Sequence, residues 1–185
     1  RKLIYGMSKK VNWNGILKVL EIRHLDAEGN ILWEENNILN VLHLDGEEFL
    51  LRAAFQGGAV STIIPDDYYL GMDNRQSVTT EDTMDDLVGE PGGAGYERQV
   101  ISSSGDFALN FEQDHFVATS PIVAFRATTG NWGPVSQIFL TDKEDNTGYL
   151  IATATLSTGI EVIAGNSVTA RIGLQLRDCE SCDST

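Results

Sequence analysis

Cysteine is scarce in this chain. Among 185 residues there are two, Cys179 and Cys182, both in the terminal Cys-Glu-Ser-Cys. A structural zinc site needs four ligands, usually from two such pairs. There is no second pair, and His24, His43 and His115 are scattered. A thioredoxin-type motif needs a βαβ setting that the flanking sequence lacks. The pair reads as two reduced thiols on a solvated tail. A redox motif, or half of a metal site shared between subunits, is the functional alternative. No disulfide framework is implied, and the redox compartment stays open.

Positive charge is also short. Thirteen Lys and Arg face 27 Asp and Glu, a net charge of −14. A field of that sign repels phosphates, whose neutralisation supplies most nucleic-acid affinity. No basic stripe offsets it, so direct nucleic-acid binding is not expected. Long apolar runs are missing as well. None approaches the length of a bilayer span, and no signal-peptide core is visible, so no membrane role is expected. Met7-Ser8-Lys9-Lys10 reads as an ordinary start, which would make Arg1–Gly6 upstream or processed sequence; trimming is the equal alternative.

Catalytic signatures are lacking too. There is no Gly-x-Ser-x-Gly elbow, phosphate-cradling P-loop or dinucleotide fingerprint. Ser102-Ser103-Ser104-Gly105-Asp106 with His115 contains the residue types of a triad, but reads as a polar hairpin turn. Adjacent acids such as Glu34-Glu35, Asp66-Asp67 and Asp85-Asp86 read as solvated faces rather than a glycosidase pair. Asp142-Lys-Glu-Asp-Asn-Thr-Gly148 alternates oxygen ligands as a calcium loop would. It fails the EF-hand pattern, because Thr147 stands where Gly is needed and Thr153 where the bidentate Glu is needed. An exposed turn is the main reading and a bound cation the alternative. No enzyme activity and no cofactor are expected.

What is present is a run of short strand signals. A hydrophobic share of 42% suffices for one ordinary core, and the length suits one domain with a small appendage. From Phe116 to Leu176, apolar, β-branched or alternating segments are each closed by Gly, Pro, Asn or Asp. This predicts an antiparallel β-sandwich of about eight to ten strands, jelly-roll-like.

Upstream, residues 16–36 predict a hairpin, with Gly29 suited to a positive φ at its turn and Trp33 as a core anchor or, alternatively, an exposed binding residue. Asp45–Phe55 predicts the one α-helix. Asp45 would be its N-cap, Glu48 would complete a capping box, and Phe49, Leu50, Ala53 and Ala54 would form its apolar stripe. Gly57-Gly58 would end it. Tyr68–Met72 predicts a short strand. Phe107, Leu109 and Phe111 alternate with polar or small residues and predict a half-buried strand with one wet face.

The domain reading is an N-terminal arm at 1–15, one sandwich domain at 16–176 with a long loop inserted at 73–95, and a tail at 177–185. In the loop, Thr80 would cap a short helix running to Leu87. A loop that long is usually functional, so Asp82, Met84 and Leu87 are candidate partner contacts. Lys9 and Lys10, in an arm without sustained periodicity, are further candidates, with a frayed end as the alternative. Trp132, in Thr-Gly-Asn-Trp-Gly-Pro, has two readings: an exposed platform for a sugar or partner, or a cap over the end of the core.

Several stretches together resemble small virion proteins of tailed bacteriophages. They include Asn36–Val41, Asp45–Leu51, Tyr68–Met72, Glu81–Met84, Gly89–Pro91, Gly95–Gln99, Thr129–Gly133 and Val162–Val168. The order of elements is similar too, over Lys18–Leu176. The resemblance is to capsid decoration, or cement, proteins. It implies a non-enzymatic virion structural protein, made in the host cytoplasm, that sits on the outer capsid. The implied partners are the major capsid protein and further copies of itself, as a homotrimer. The alternative it leaves open is a tail or head-fibre component that binds a host surface glycan or receptor.

Overall fold

The computed structural model describes residues 13–56, 64–112 and 115–178. Lys9, Lys10, Gly57, Gly58, Cys179 and Cys182 lie outside them. The fold is mainly β: an antiparallel, jelly-roll-like sandwich with one short α-helix. The strands are β1 (Trp13–Leu25), β2 (Ile31–Leu42), β3 (Asp67–Asp73), β4 (Gln99–Ser102), β5 (Ala108–Glu112), β6 (His115–Thr119), β7 (Val123–Arg126), β8 (Trp132–Thr141), β9 (Leu150–Val162) and β10 (Ser167–Asp178). The helix α1 is Leu44–Phe55. The sheet therefore takes in residues 13–15, read as arm, and 177–178, read as tail.

The ten strands form one continuous curled sheet in the order β4-β3-β8-β9-β2-β1-β10-β6-β5, with β7 pairing the remaining length of β10. β2 lets the sheet fold over itself. Its first part pairs with β1 as far as Leu39, and Asn40, Val41 and Leu42 then pair with β9. Just before the exchange, the ladder skips Asn37, whose φ is +58°. Asn is among the few non-glycine residues that tolerate this left-handed conformation.

The two halves enclose one apolar core. Val19 and Ile22 of β1, Ile172 of β10, Leu70 of β3, Ile138 of β8 and Ala154 of β9 all belong to it. Each large aliphatic side chain buried there contributes roughly 1.5–3 kcal/mol relative to exposure. Trp33 packs on this core while half-buried. The predicted hairpin is present, and longer than the sequence suggests. Asp26 Oδ1 accepts hydrogen bonds from the Glu28 and Asn30 amides, and Gly29 takes φ +87°.

The helix begins one residue earlier than expected, and Asp45 is not its cap. His43 occupies that position without a side-chain cap bond. The start is held by tertiary contacts instead: the His43 amide donates to Ile151 O, and the Leu44 amide to Thr80 O. Phe49 anchors the helix edge-on against Tyr68 at 6.1 Å and tilted against Tyr149 at 5.8 Å. Gly46 lies directly on the β9 backbone, where a Cβ would stand 2.8 Å from Ile151 Cα. Of the predicted stripe, Phe49 alone is buried; Leu50 and Ala54 are exposed and Ala53 is half-buried.

Candidate functional site

The loop at 73–95 is not a free arm. It lies across the outer face of the sheet half that contains β3, β8 and β9. That is why β8 is buried on both faces from Val135 to Thr141. Met84 is 1% exposed and packs with Phe139 and Leu150, with Leu87 half-buried beside them. The short helix expected after Thr80 is a single 3-10 turn, Met84–Asp86. It starts at Thr83, whose amide and hydroxyl both donate to Asp86 Oδ2, at 2.8 and 3.0 Å. Met84 therefore offers no docking contact, since it is spent within the chain's own packing.

Polar groups fasten the loop from below. Asp73 is fully buried; its Oδ1 accepts from the Gly89 amide at 2.7 Å and its Oδ2 from the Arg75 amide at 3.3 Å. Arg75 Nη1 lies 3.1 Å from Asp82 Oδ2 and donates to Asp86 O at 3.3 Å. Arg75 O in turn accepts from Ser136 Oγ and Gln137 Nε2. Asp82 also accepts from the Thr79 amide and hydroxyl. It thus bridges two parts of its own loop, which is a structural rather than a partner contact.

His43 Nε2 and Thr153 Oγ1 lie 2.7 Å apart under this loop. An imidazole beside a hydroxyl is a pairing that nucleophilic sites use. Both residues are buried, at 0% and 1% exposure, so the pair serves as a tie between β9 and the start of α1. Burial is the main influence on His43 and pushes its pKa below the ordinary value, against the pull of the Asp82 carboxylate. His24, buried against Asn166 Nδ2 at 3.1 Å, is lowered by burial too.

In each case the unfolded chain takes up the proton first on acidification. Stability is then complete above about pH 6.5 and falls as the pH drops towards the folded values. The urea midpoint is expected to be lower at about pH 5.5 than at about pH 7.5, and His43→Gln should shrink that difference. Equal midpoints for the unsubstituted protein would contradict the assignment.

The acid turn at Asp142–Gly148 already holds a cation, and it is a side chain. Arg98 Nη1 donates to Asp145 O at 2.9 Å and to Lys143 O at 3.4 Å, while Nη2 donates to Asn146 Oδ1. Glu90 grips the same guanidinium through Nε at 2.8 Å and Nη2 at 2.7 Å. The group also lies over the Phe139 ring, 5.2 Å from its centre. Asp142 Oδ1 accepts from the Tyr149 amide, and Asp145 Oδ1 from the Thr147 amide and hydroxyl. Among the described residues no group of three His, Cys, Asp or Glu side chains is placed to hold a metal ion. Ser102–Asp106 is a polar turn, closed by the Ser102 amide donating to Asp106 Oδ2 at 2.7 Å.

Trp132 is not an exposed platform. It is 3% exposed and meets Tyr96 edge-on at 5.4 Å, and Tyr96 stacks on Phe125 at 6.1 Å. Tyr96 is held in turn: its hydroxyl accepts from the Met72 amide at 2.8 Å and donates to Glu90 at 2.9 Å, and burial pushes its pKa up. Trp132 therefore closes the end of the core, the second of its two readings.

Among the described residues, apolar side chains stand exposed at several other places, Leu39, Val88 and Val100 among them, and two groups lie on α1 and on the β5–β6 hairpin. On α1, Leu44, Leu51 and Phe55 follow one another at i, i+7 and i+11 along the outward side, and Phe55 is 81% exposed. They line a shallow groove with Glu47, Glu48, Arg52 and Gln56, where Glu48 and Arg52 form an i,i+4 ion pair. On the β5–β6 hairpin, Leu109, Phe111 and Phe116 are 70%, 64% and 62% exposed. Phe111 pairs with Phe116 and Leu109 with Ala118, and Ala118 stands opposite Leu174, which packs on the core. The hairpin thus carries the core-side face outward, and among the described residues nothing covers Leu109, Phe111 and Phe116 there.

Alternation in the sequence puts the Leu109 and Phe111 side on the buried face of β5. The apolar pattern of α1 suggests one stripe, although Leu44, Phe49, Leu50, Leu51 and Phe55 are too many for a single face. That excess was the available signal for the helix. The hairpin gave no comparable signal, because alternation reports a face and not whether anything covers it.

No family model, curated protein or solved structure matches this chain.

Proposed function

We propose that the chain is a non-enzymatic virion structural protein that binds the outer surface of a phage capsid and stabilises it. The observation that carries this is the outward apolar stripe of α1, Leu44, Leu51 and Phe55, on a helix clamped to the sandwich through Phe49 and Gly46. A helix held from behind, with an apolar front between Glu48–Arg52 and Glu47, is a preformed docking ridge. The sandwich supplies rigidity, and the charge of −14 keeps the protein off nucleic acid. Its polar groups, from Asp73 to Arg98, are engaged in holding loops.

Capsid stabilisation then follows by mass action. A protein that binds only the assembled lattice stabilises it by about 2.7 kcal/mol per site at a hundredfold excess over Kd. The fibre-tip alternative relied on Trp132 as a sugar platform, and the burial of that ring removes its support.

The test is co-sedimentation with capsids that lack the protein. The unsubstituted chain is expected to pellet with capsids and to raise the temperature at which they open. Leu51→Glu with Phe55→Glu, at exposed positions, should leave folding unchanged and abolish pelleting. Equal pelleting of both proteins, or of neither, would overturn the reading.

A further inference from the structure

We propose that the uncovered face and free edge of the β5–β6 hairpin are the docking site for residues 1–12 of a second copy of this chain. This goes beyond capsid binding and names how copies join to one another. It rests on the reading of the protein as an assembly module, not on the identity of the lattice.

The hairpin provides both elements of a strand-addition site. Among the described residues β5 pairs with β6 alone, so its other side presents unpaired backbone groups. β5 carries neither proline nor lysine along its edge, and its one charge, Glu112, stands at its end. Beside that edge stand Leu109, Phe111 and Phe116, with the two Phe rings 5.1 Å apart. In sequence, the region combines apolar residues with acidic ones. From Gln99 to Phe125 there is no Lys or Arg, while Asp106, Glu112 and Asp114 are acidic.

Residues 1–12 have the complementary composition. Leu3, Tyr5 and Met7 occupy alternate positions, as a strand needs in order to lay one apolar face on a neighbour. Arg1, Lys2, Lys9 and Lys10 are basic and no acid accompanies them. Four of the chain's 13 basic residues are therefore in this segment, which leaves nine against 27 acids in the remainder. An acidic body and a basic, apolar arm attract, and each disfavours its own kind.

The topology favours a second copy over the same one. The arm joins the sheet at Trp13, opposite Asp178, and β10 pairs with β6 three residues earlier at Gln175 and Val117. The arm thus leaves at the end of the sheet where β5 stops and β6 starts. To pair with β5's free edge, its own arm would cross three strands, β10, β6 and β5, a shift of four strand spacings or about 19 Å. It would then run parallel to β5, the less stable pairing. A neighbour's arm enters antiparallel without the crossing, and twelve extended residues reach about 40 Å. Passing the arm from copy to copy makes a head-to-tail contact, which gives a ring such as a trimer where the rotation between copies closes and an open filament where it does not.

The test places a photoreactive residue at the site, Phe111→p-benzoylphenylalanine, in the full chain, and uses a mixture of isotopically light and heavy copies. Irradiation is expected to give species of two or more chains whose cross-links fall within residues 1–12 and join light to heavy copies. Lys9→Glu with Lys10→Glu should weaken self-association on the order of tenfold or more, read by sedimentation, with an unchanged circular dichroism spectrum. Cross-links confined to one chain, cross-links to another segment, or self-association unaffected by the double substitution would each overturn the proposal. These readouts use the isolated protein. Loss of arm docking with capsid binding retained, or the reverse, therefore separates this inference from the functional one.

Discussion

Trp132→Ala is expected to lower the unfolding free energy by about 3–5 kcal/mol, the usual cost of truncating a buried Trp. The ring sits at the start of β8, opposite Val162 of β9, and belongs to the main core. Removing it leaves a cavity bounded by Tyr96, which would lose its edge-on partner while still held by Met72 and Glu90. Tethered neighbours relax poorly into a void, which keeps the cost high.

Trp132→Phe behaves differently. The indole Nε1 is buried and has no hydrogen-bond partner among the described residues, so the smaller ring gives up volume and also removes an unsatisfied donor. Its cost should stay below roughly 1.5 kcal/mol. Urea unfolding of the two variants checks both values. A surface platform would behave the opposite way, with little loss of stability in either variant. A loss below about 1 kcal/mol for Trp132→Ala would therefore contradict the burial argument.

Arg98→Ala should cost a similar amount, about 3–5 kcal/mol, for a different reason. The guanidinium is 6% exposed and joins three separate parts of the chain: Glu90 in the long loop, the 142–148 turn, and Phe139 on β8. Taking it away leaves Glu90 without its counter-charge and three turn oxygens without a donor. Arg98→Lys should recover only part of the loss. A single ammonium cannot make the two parallel bonds to Glu90 and reach the turn as well.

The signature of the network is non-additivity. In a double-mutant cycle with Glu90→Gln, the coupling should exceed about 1 kcal/mol. Hydrogen exchange should report opening of both the 73–95 loop and the 142–148 turn in the Arg98→Ala protein. Additive losses, or opening of only one of the two, would contradict a shared clamp.

Local chemistry in the sequence was a good guide to strands and turns. Asp26 and Gly29 specify the first hairpin by side-chain bonding and positive φ, and the structure uses both. The apolar runs after Phe116 became β6 to β10, where β10 alone pairs with β1, β6 and β7. Less legible was anything decided by which surface meets which. β8 reads as one more strand, yet its outward Gln137 and Phe139 are buried because Arg75 and Met84 of the 73–95 loop lie over them, and Thr141 is buried beside the 142–148 turn. Arg98 stands 45 or more residues from the turn it occupies, so the cation that fills that turn could not be named from the turn itself. Helix α1 shows the same limit at its start, where the sheet and loop backbone replace the side-chain cap that Asp45 and Glu48 suggest.

The candidate site moved for that reason as well. Asp82, Met84 and Trp132 are polar or large residues that the sequence pattern puts in loops, the usual mark of recognition, and each is engaged inside the molecule, Trp132 at the start of β8. The surfaces left over, on α1 and on the β5–β6 hairpin, are made of ordinary apolar residues whose pattern is that of a core. What distinguishes them is the absence of a covering element among the described residues, which only the assembled fold reveals.

The most direct test of the central claim is imaging of the intact virion at subunit resolution. The expected result is this sandwich on the outer capsid surface, with α1 turned towards the capsid subunits and copies arranged in closed rings. Density for the chain on the tail alone, or on the capsid with α1 facing solvent, would contradict it.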